Sequence, residues 1–315
     1  HMNKEDFRII FMGTPEFAVP TLHRLIERGL NVVAVLTQPD RPAGRGRKLA
    51  QSPVKQVATR AGIEVLQPES LRDEALLAKL RSMEPDIVVV AAYGLLLPPE
   101  VLRIPRCGCV NVHASLLPKY RGAAPINWAI IRGERKTGVT TFLMDETMDT
   151  GGILQQREVP INDEDDAATL SARLAEVGAE LLVETLDGLE KGTLAPCRQE
   201  ASQATRAPKL KKTDGQIEWS QPAERIWWLV RGTVPWPVAF THYRGTMLRV
   251  WKATWRPEGP PAQPGEVLAV SEAGIEVRAG EGVVVLLEVQ PENGRRMRAE
   301  EFARGHALVP GGRFT

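Results

Sequence analysis

An asparagine and a histidine stand two positions apart, as Asn111 and His113, at the end of a short apolar run. Side chains two residues apart in a strand point to the same face, so these two should lie side by side. An amide next to an imidazole can polarise a carbonyl oxygen and move a proton. Further along, Asp149 adds a carboxylate in a turn that ends at Gly151. Taken alone, the spacing is weak evidence, and a histidine that serves only the core is the default interpretation.

The elements that position these side chains follow from the apolar pattern of the first half of the chain. Strands are predicted at 8–12, 31–37, 86–92, Cys109–His113 and 139–144, with helices at 16–28 and 71–81. This alternation predicts an α/β fold with a doubly wound, mostly parallel sheet between layers of helices. Such sheets bind ligands beyond the carboxyl ends of their strands, which is where His113 and the loop after it fall.

The second half of the chain has a different texture. One long helix is predicted at 165–190, and residues 193–212 have the proline and lysine content of a linker. From there, short alternating runs separated by Gly and Pro turns predict a small antiparallel β-barrel or sandwich. We therefore predict a catalytic domain at 1–192, a linker at 193–212 and a small β-barrel domain at 213–315.

Composition excludes several classes of protein. The chain of 315 residues is 43% hydrophobic and 25% charged, as in soluble globular proteins, and its apolar runs are too short for a membrane span. The three cysteines have no zinc-type spacing and the five histidines form no ligand-spaced pair, which predicts no metal and a reducing cytoplasm. No Gly-x-Gly-x-x-Gly follows the first strand, so a nicotinamide dehydrogenase is disfavoured.

Two basic segments point to a polyanion. Residues 38–55 carry one acid, Asp40, against five cations: Arg41, Arg45, Arg47, Lys48 and Lys55. The segment lacks the Gly-Lys-Ser/Thr of a phosphate-binding loop, so either a solvated surface loop or an arm for nucleic acid remains open. The predicted linker carries three more cations, Lys209, Lys211 and Lys212, as possible phosphate contacts.

The longer pattern around the histidine resembles a known family. Asn111-Val112-His113-Ala114-Ser115-Leu116-Leu117-Pro118, with Asp149-Thr150-Gly151 downstream, resembles the formyltetrahydrofolate-dependent formyltransferases. The resemblance implies that Asn111, His113 and Asp149 form the catalytic trio and that 10-formyltetrahydrofolate is the formyl donor. It also implies that Ser115, Leu116, Leu117 and Pro118 flank the folate pocket. Ala114 replaces the usual glycine, a departure between two small residues.

Two further stretches resemble the branch of this family that acts on initiator methionyl-tRNA. These are the run from Thr37 through Lys55 and the C-terminal segments Pro235-Trp236-Pro237 and Val250-Trp251-Lys252-Ala253. The resemblance implies a Rossmann-like formyltransferase domain followed by an oligonucleotide-binding (OB)-like barrel, in a monomer. It further implies an arm that enters the acceptor stem of tRNA and orders on binding, with the tRNA-contacting residues Arg41, Arg45, Arg47, Lys48, Lys209, Lys211 and Lys212.

Three alternatives stay open at this point. A related formyltransferase could act on another amine, such as a nucleotide or an amino sugar. A tRNA-binding protein with an inactive catalytic domain would keep the barrel and lose the chemistry. In the predicted barrel, Trp227, Trp228, Trp236 and Trp251 could be core residues or stacking platforms for bases.

Overall fold

The computed structural model describes residues 6–315, so the first five residues of the predicted 1–192 domain lie outside it. Contacts divide the chain into two units. The first contains residues up to Ala123, then Lys136–Pro160 and Ser171–Ala207; the second contains Ala124–Arg135, Ile161–Leu170 and Pro208–Thr315. Residues 193–207 of the predicted linker are thus counted with the first unit. The predicted domain limits themselves stay a prediction.

The first unit is built on a seven-stranded sheet. Its strands, together with a separate hairpin formed by β3 and β4, are β1 (Arg8–Gly13), β2 (Asn31–Leu36), β3 (Arg41–Ala43), β4 (Lys48–Ala50), β5 (Val65–Leu66), β6 (Ile87–Ala91), β7 (Cys109–His113), β8 (Lys136–Leu143) and β9 (Ile153–Pro160). The order is β5-β2-β1-β6-β7-β8-β9. From β5 to β7 all neighbours are parallel, whereas β8 and β9 join antiparallel. The predicted doubly wound, mostly parallel sheet is confirmed.

Eight α-helices lie within residues 6–315. They are α1 (Val19–Glu27), α2 (Pro53–Arg60), α3 (Glu74–Ser82), α4 (Pro99–Leu102), α5 (Pro125–Ile131), α6 (Ala167–Glu190), α7 (Ala223–Gly232) and α8 (Ala299–Gly305). Side-chain caps set several of their starts. The Ser52 hydroxyl accepts from Lys55 N at the start of α2, and the Asp73 carboxylate accepts from Leu76 N at the start of α3.

The central strands explain why the apolar runs are continuous rather than alternating. Every residue of β6 is buried, and so is every residue of β1 after Arg8, because helices cover both faces of the sheet. In contrast, β9 alternates between inward and outward residues and lies at the edge of the sheet. This edge strand is absent from the sequence-based prediction because its half-polar pattern resembles a loop.

The second unit contains an antiparallel sheet. Its strands are β10 (Ala239–Tyr243), β11 (Thr246–Arg256), β12 (Val267–Ser271), β13 (Gly274–Arg278), β14 (Val283–Pro291) and β15 (Met297–Arg298). The order is β10-β11-β14-β13-β12, with β15 paired to β14. The predicted antiparallel β domain is confirmed.

The last residues of the chain connect the two edge strands of this sheet. Thr315 and His242 exchange backbone hydrogen bonds of 3.0 Å in both directions. On the other edge, Val267 N donates to Gly312 O at 2.7 Å and Phe314 N donates to Gly265 O at 2.8 Å. The sheet therefore closes into a small barrel, and the Phe314 ring stacks on Trp219 inside it at a centroid distance of 6.0 Å.

The four tryptophans left open by the sequence differ in exposure. Trp236 is 49% exposed, while Trp227, Trp228 and Trp251 are half-buried, so none of the four is a fully buried core residue. Within residues 6–315 no helix is long and apolar enough to cross a membrane.

Candidate active site

Asn111 and His113 occupy the carboxyl-terminal half of β7, between a parallel neighbour and an antiparallel one. Asn111 pairs with Val90 of β6 on one side and with Phe142 of β8 on the other. Pairing on both sides fixes the backbone of β7 and therefore the direction in which the two side chains leave it. His113 is only 7% exposed, whereas Asn111 is half-buried.

The imidazole of His113 has one ring nitrogen occupied and one facing a carboxylate. Nε2 lies 2.9 Å from the backbone oxygen of Tyr120, and since a carbonyl oxygen only accepts, Nε2 carries the proton of this bond. Nδ1 lies 3.8 Å from Oδ1 of Asp149. That distance is too long for a hydrogen bond. Nδ1 is therefore the ring nitrogen that can exchange a proton with a reacting group.

The carboxylate of Asp149 is held by the backbone. Its Oδ2 accepts from Gly122 N at 2.8 Å, which leaves Oδ1 turned towards His113. Asp149 itself has a φ of 58°, in the left-handed region that non-glycine residues avoid. Two residues later, a Cβ on Gly151 would overlap the Leu143 carbonyl oxygen, so the turn requires glycine there. The predicted trio thus comes together at one edge of the sheet.

Asn111 contributes a weakly engaged amide. Its Nδ2 lies 3.9 Å from the sulfur of Met144. A thioether is a poor acceptor, so this amide can turn to a stronger one such as a carbonyl oxygen or an oxyanion. The arrangement combines a hydrogen-bond donor, a proton-exchanging imidazole and a carboxylate, which suits the addition of a nucleophile to a carbonyl group.

The segment predicted to flank a folate pocket is held mainly by its own backbone and hydroxyl bonds. The Ser115 hydroxyl donates to Lys119 O at 2.6 Å, and the Thr140 hydroxyl donates to Ser115 O at 2.6 Å. Ser115 and Leu117 are buried, whereas Leu116 and Pro118 are half-buried. Any direct side-chain contact with a ligand is therefore easier for Leu116 and Pro118 than for the other two.

Three exposed apolar side chains, in the loops that follow β6 and β8, are missing from the predicted site. Leu95 and Leu96, in the loop after β6, are 41% and 53% exposed, and Met148, in the Asp149 turn, is 54% exposed. Because β6 and β7 are parallel neighbours, their following loops share one edge of the sheet. The available sequence signal was the pair Leu95-Leu96 directly after the predicted strand at 86–92, where ligand-binding loops are expected.

The basic arm forms the β3–β4 hairpin, and all of its ten residues from Arg41 to Ala50 are exposed. Four of the predicted tRNA-contacting residues thus lie together: Arg41, Arg45, Arg47 and Lys48. The fifth cation is engaged elsewhere. Lys55 lies 2.9 Å from the Asp40 carboxylate, which also accepts from Gln67 at 2.7 Å. The hydrogen bond from Lys55 lowers the pKa of Asp40 below its usual value.

The remaining predicted contacts, Lys209, Lys211 and Lys212, belong to the second unit and are all exposed. Over residues 6–315, no group of three or more His, Cys, Asp or Glu side chains is placed to hold a metal ion.

Comparison with known proteins identifies the family. A formyl transferase family model matches residues 7–186, and the model of the formyl transferase C-terminal domain matches residues 209–307. The methionyl-tRNA formyltransferase of Caldanaerobacter subterraneus subsp. tengcongensis is 51% identical over 305 residues, which are 96% of this chain and 98% of that protein. The chain belongs to the methionyl-tRNA formyltransferase family. Members of this family are enzymes that transfer a formyl group.

Solved structures with the same fold include other formyltransferases. HypX of Aquifex aeolicus in complex with tetrahydrofolic acid has a TM-score of 0.65 at 20% identity, over 94% of this chain and 46% of that one, so this chain spans about half its length. An N-formyltransferase of Helicobacter canadensis, in complex with folinic acid and dTDP-3-aminofucose, has a TM-score of 0.65 at 18% identity, over 88% and 98% of the two chains. At such identities the likeness shows the fold alone.

Proposed function

We propose that this chain transfers the formyl group of 10-formyltetrahydrofolate to the α-amine of methionine on initiator methionyl-tRNA. The observation that carries the proposal is the convergence of Asn111, His113 and Asp149, with His113 Nδ1 3.8 Å from the Asp149 carboxylate. The acceptor is inferred from the 51% identity with a methionyl-tRNA formyltransferase and from the exposed basic hairpin. The amino-sugar alternative rests on likeness to solved structures such as an N-formyltransferase that is 18% identical.

In the proposed reaction the neutral amine attacks the formyl carbon and a tetrahedral oxyanion forms. Asn111 Nδ2 and the protonated Nδ1 of His113 stabilise that oxyanion. The bond from carbon to the folate nitrogen then breaks, and the proton lost by the amine passes to that leaving nitrogen. Asp149 orients the imidazole or a water molecule that moves the proton. Products are the formylamide and tetrahydrofolate.

For the folate, we propose the exposed Leu95, Leu96 and Met148 as the apolar wall of the binding site. They lie in the loops that follow β6 and β8, and a flat heteroaromatic ring would cover them. Half-buried Leu116 and Pro118 extend the same apolar lining.

We also propose that the protein works in the cytoplasm as a monomer. The free thiols of Cys107, Cys109 and Cys197 fit a reducing compartment.

One assay tests the function. The protein is incubated with 10-formyltetrahydrofolate and initiator methionyl-tRNA, and formylmethionine is measured after hydrolysis of the ester. Parallel reactions contain elongator methionyl-tRNA, free methionine or an amino-sugar nucleotide. We expect rapid formylation of the initiator substrate and little of the others. Formylation of the amino-sugar nucleotide alone would favour the alternative substrate class, and no formylation of any amine would refute the proposal.

A further inference from the structure

Gln199 lies in the segment after α6 that the sequence predicts as linker, yet it is only 6% exposed. The segment runs antiparallel to the chain that leaves the Asp149 turn, because Ile153 and Cys197 exchange backbone hydrogen bonds of 2.7 and 2.8 Å. Polar side chains are buried where their hydrogen bonds are satisfied, so the partners of Gln199 indicate its role.

Both ends of the Gln199 amide are bonded to the segments that carry the candidate site. Nε2 donates to the backbone oxygens of Asp149 and Gly151, each at 2.8 Å. Oε1 accepts from the guanidinium of Arg121, at 3.2 Å from Nε and 2.9 Å from Nη2. The orientation of the amide is unambiguous, because carbonyl oxygens only accept and a guanidinium only donates.

These bonds complete a closed ring around Asp149. Arg121 directly precedes Gly122, whose backbone N–H donates to Asp149 Oδ2. Gly122 therefore holds the carboxylate of Asp149, and Gln199 holds its carbonyl. Arg121 links the two, because it is bonded to Gln199 and is the residue before Gly122. A residue at φ 58° needs such external support, because an aspartate left alone would relax towards negative φ.

We propose that Gln199 is a positioning residue of the formyl-transfer reaction. By bracketing the carbonyls of Asp149 and Gly151, it keeps the Asp149 backbone in its left-handed conformation. This conformation sets the direction of Oδ1 towards Nδ1 of His113. Gln199 does not touch the reacting atoms, and it acts only through Asp149. The inference rests on the proposed function, since it assigns Asp149 a part in the chemistry.

A double-mutant cycle with Asp149→Asn tests whether the effect passes through Asp149. Gln199→Met keeps the length of the side chain and removes its hydrogen bonds. Rates are normalised to the folded fraction measured by circular dichroism. In the wild-type background we expect kcat to fall roughly ten- to a hundredfold, with both KM values changed by less than about threefold. In the Asp149→Asn background we expect less than about a twofold further loss. Equal losses in both backgrounds would overturn the proposal.

A second variant separates the two ends of the amide. Gln199→Glu keeps an acceptor for Arg121 and replaces the donor to Asp149 and Gly151 by a carboxylate oxygen. We expect it to be as slow as Gln199→Met. Wild-type kcat in Gln199→Glu would contradict the proposal, because the bond to Arg121 would then suffice. Gln203→Glu is the matched control: it places the same charge on the same segment at an exposed residue and should keep wild-type rates.

Hydrogen exchange gives a readout that needs no substrate. The Gly122 amide proton is bonded to Asp149 Oδ2, so its exchange should accelerate at least tenfold in Gln199→Met while strand amides of β6 stay protected. Unchanged Gly122 exchange would overturn the positioning role. If the wild-type protein fails to formylate methionyl-tRNA, the proposed function fails, and Gly122 exchange still decides whether Gln199 holds the turn.

Discussion

Two residues of the candidate trio, His113 and Asp149, each have one group that is fixed and one that can react. His113 uses Nε2 for Tyr120 O and keeps Nδ1 for proton exchange, and Asp149 uses Oδ2 for Gly122 N and keeps Oδ1. Backbone groups of Tyr120 and Gly122 make both of these fixing bonds, so the bonds do not depend on the side chains of those two residues. This division lets a nearly buried imidazole be held firmly and still take part in proton transfer.

Substitution of the trio should affect turnover more than binding. We expect His113→Ala and Asp149→Asn each to lower kcat roughly 10²- to 10⁴-fold, the usual range for a lost acid–base partner. The KM for methionyl-tRNA should stay within a few-fold, because the hairpin is untouched. Steady-state formylation kinetics measure both constants. Glu146→Gln, an exposed charge change in the same turn, is the control and should have wild-type rates. Near-normal kcat in both trio variants would remove them from the mechanism.

The buried phenol of Tyr93 should make the free energy of unfolding depend on pH. Burial raises the pKa of its phenol from 10.0 to about 12. The unfolded chain loses this proton first, so the free energy of unfolding should fall as pH rises from about 10 to 12. In the wild-type protein this fall in the free energy of unfolding amounts to roughly 1–3 kcal/mol by about pH 12. Tyr93→Phe should not show it. Urea unfolding of both proteins at pH 8, 10 and 11 measures the difference. Parallel pH dependences would contradict the assigned pKa.

The same variant tests an unsatisfied group. Over residues 6–315, the Tyr93 hydroxyl oxygen has no hydrogen-bond partner although it is buried. Removing it should therefore leave stability at pH 8 unchanged or raise it by about 1 kcal/mol. A clear loss of stability at pH 8 would indicate a bonded hydroxyl.

Among the secondary-structure elements, the hairpin of β3 and β4 is the most exposed and the most basic. The start of the hairpin is fixed, because Asp40, just before β3, accepts from Lys55 of α2 and from Gln67 beyond β5. Within residues 6–315, Arg45, Arg47 and Lys48 at its tip make no such bond, and all three are exposed. This arrangement favours an electrostatic role, in which the hairpin cations bind phosphates.

We expect Arg45→Ala to raise the KM for methionyl-tRNA roughly tenfold, the effect of one lost charge-assisted contact. The kcat at saturating tRNA and the KM for the folate should stay unchanged. Measuring KM over a range of salt concentrations adds a check, since the slope of log KM against log salt should drop by about one. Arg28→Ala, an exposed arginine just after α1, is the control. An unchanged KM for tRNA at low salt would argue against the arm.

The elements that the sequence predicted well are those with simple periodicity. Strands β1, β2, β6 and β7 have continuous apolar runs, and their strand ends correctly located Asn111 and His113. The hydrogen bonds that support the site could not be predicted from the sequence, because they join distant segments. Tyr120 N donates to the Thr205 hydroxyl, 85 residues away, and Gln199 reaches back to Asp149. No local pattern encodes such pairings, so the segment around Gln199 resembled a linker.

At the scale of the whole molecule, the second unit depends on residues far apart in the chain. The barrel closes only when residues 311–315 bond to both edge strands. Phe314 is the apolar anchor of this closure, since it is 1% exposed and lies 5.6 Å from the ring of Tyr243 as well as against Trp219. Without this segment, His242 in β10 and Val267 in β12 would lose these backbone partners.

Phe314→Ala should destabilise the second unit by about 3–5 kcal/mol, the usual range for truncating a buried aromatic ring. Six of the seven tryptophans lie after residue 204, so intrinsic fluorescence reports mainly this unit during urea unfolding. Val309→Ala is the control, because Val309 is in the same terminal stretch and 61% exposed. A fluorescence transition at the wild-type urea concentration would show that the barrel closes without the ring.

The two ends of the hairpin lie close together, which makes the hairpin replaceable. Arg41 and Ala50 are paired across the hairpin, so their Cα atoms are about 5 Å apart, a gap that a tight two-residue turn can bridge. The insertion can thus be shortened, lengthened or exchanged while the sheet and the trio keep their places. On the proposed function, exchanging residues 41–50 between homologues would change the contacts to tRNA and leave the trio in place.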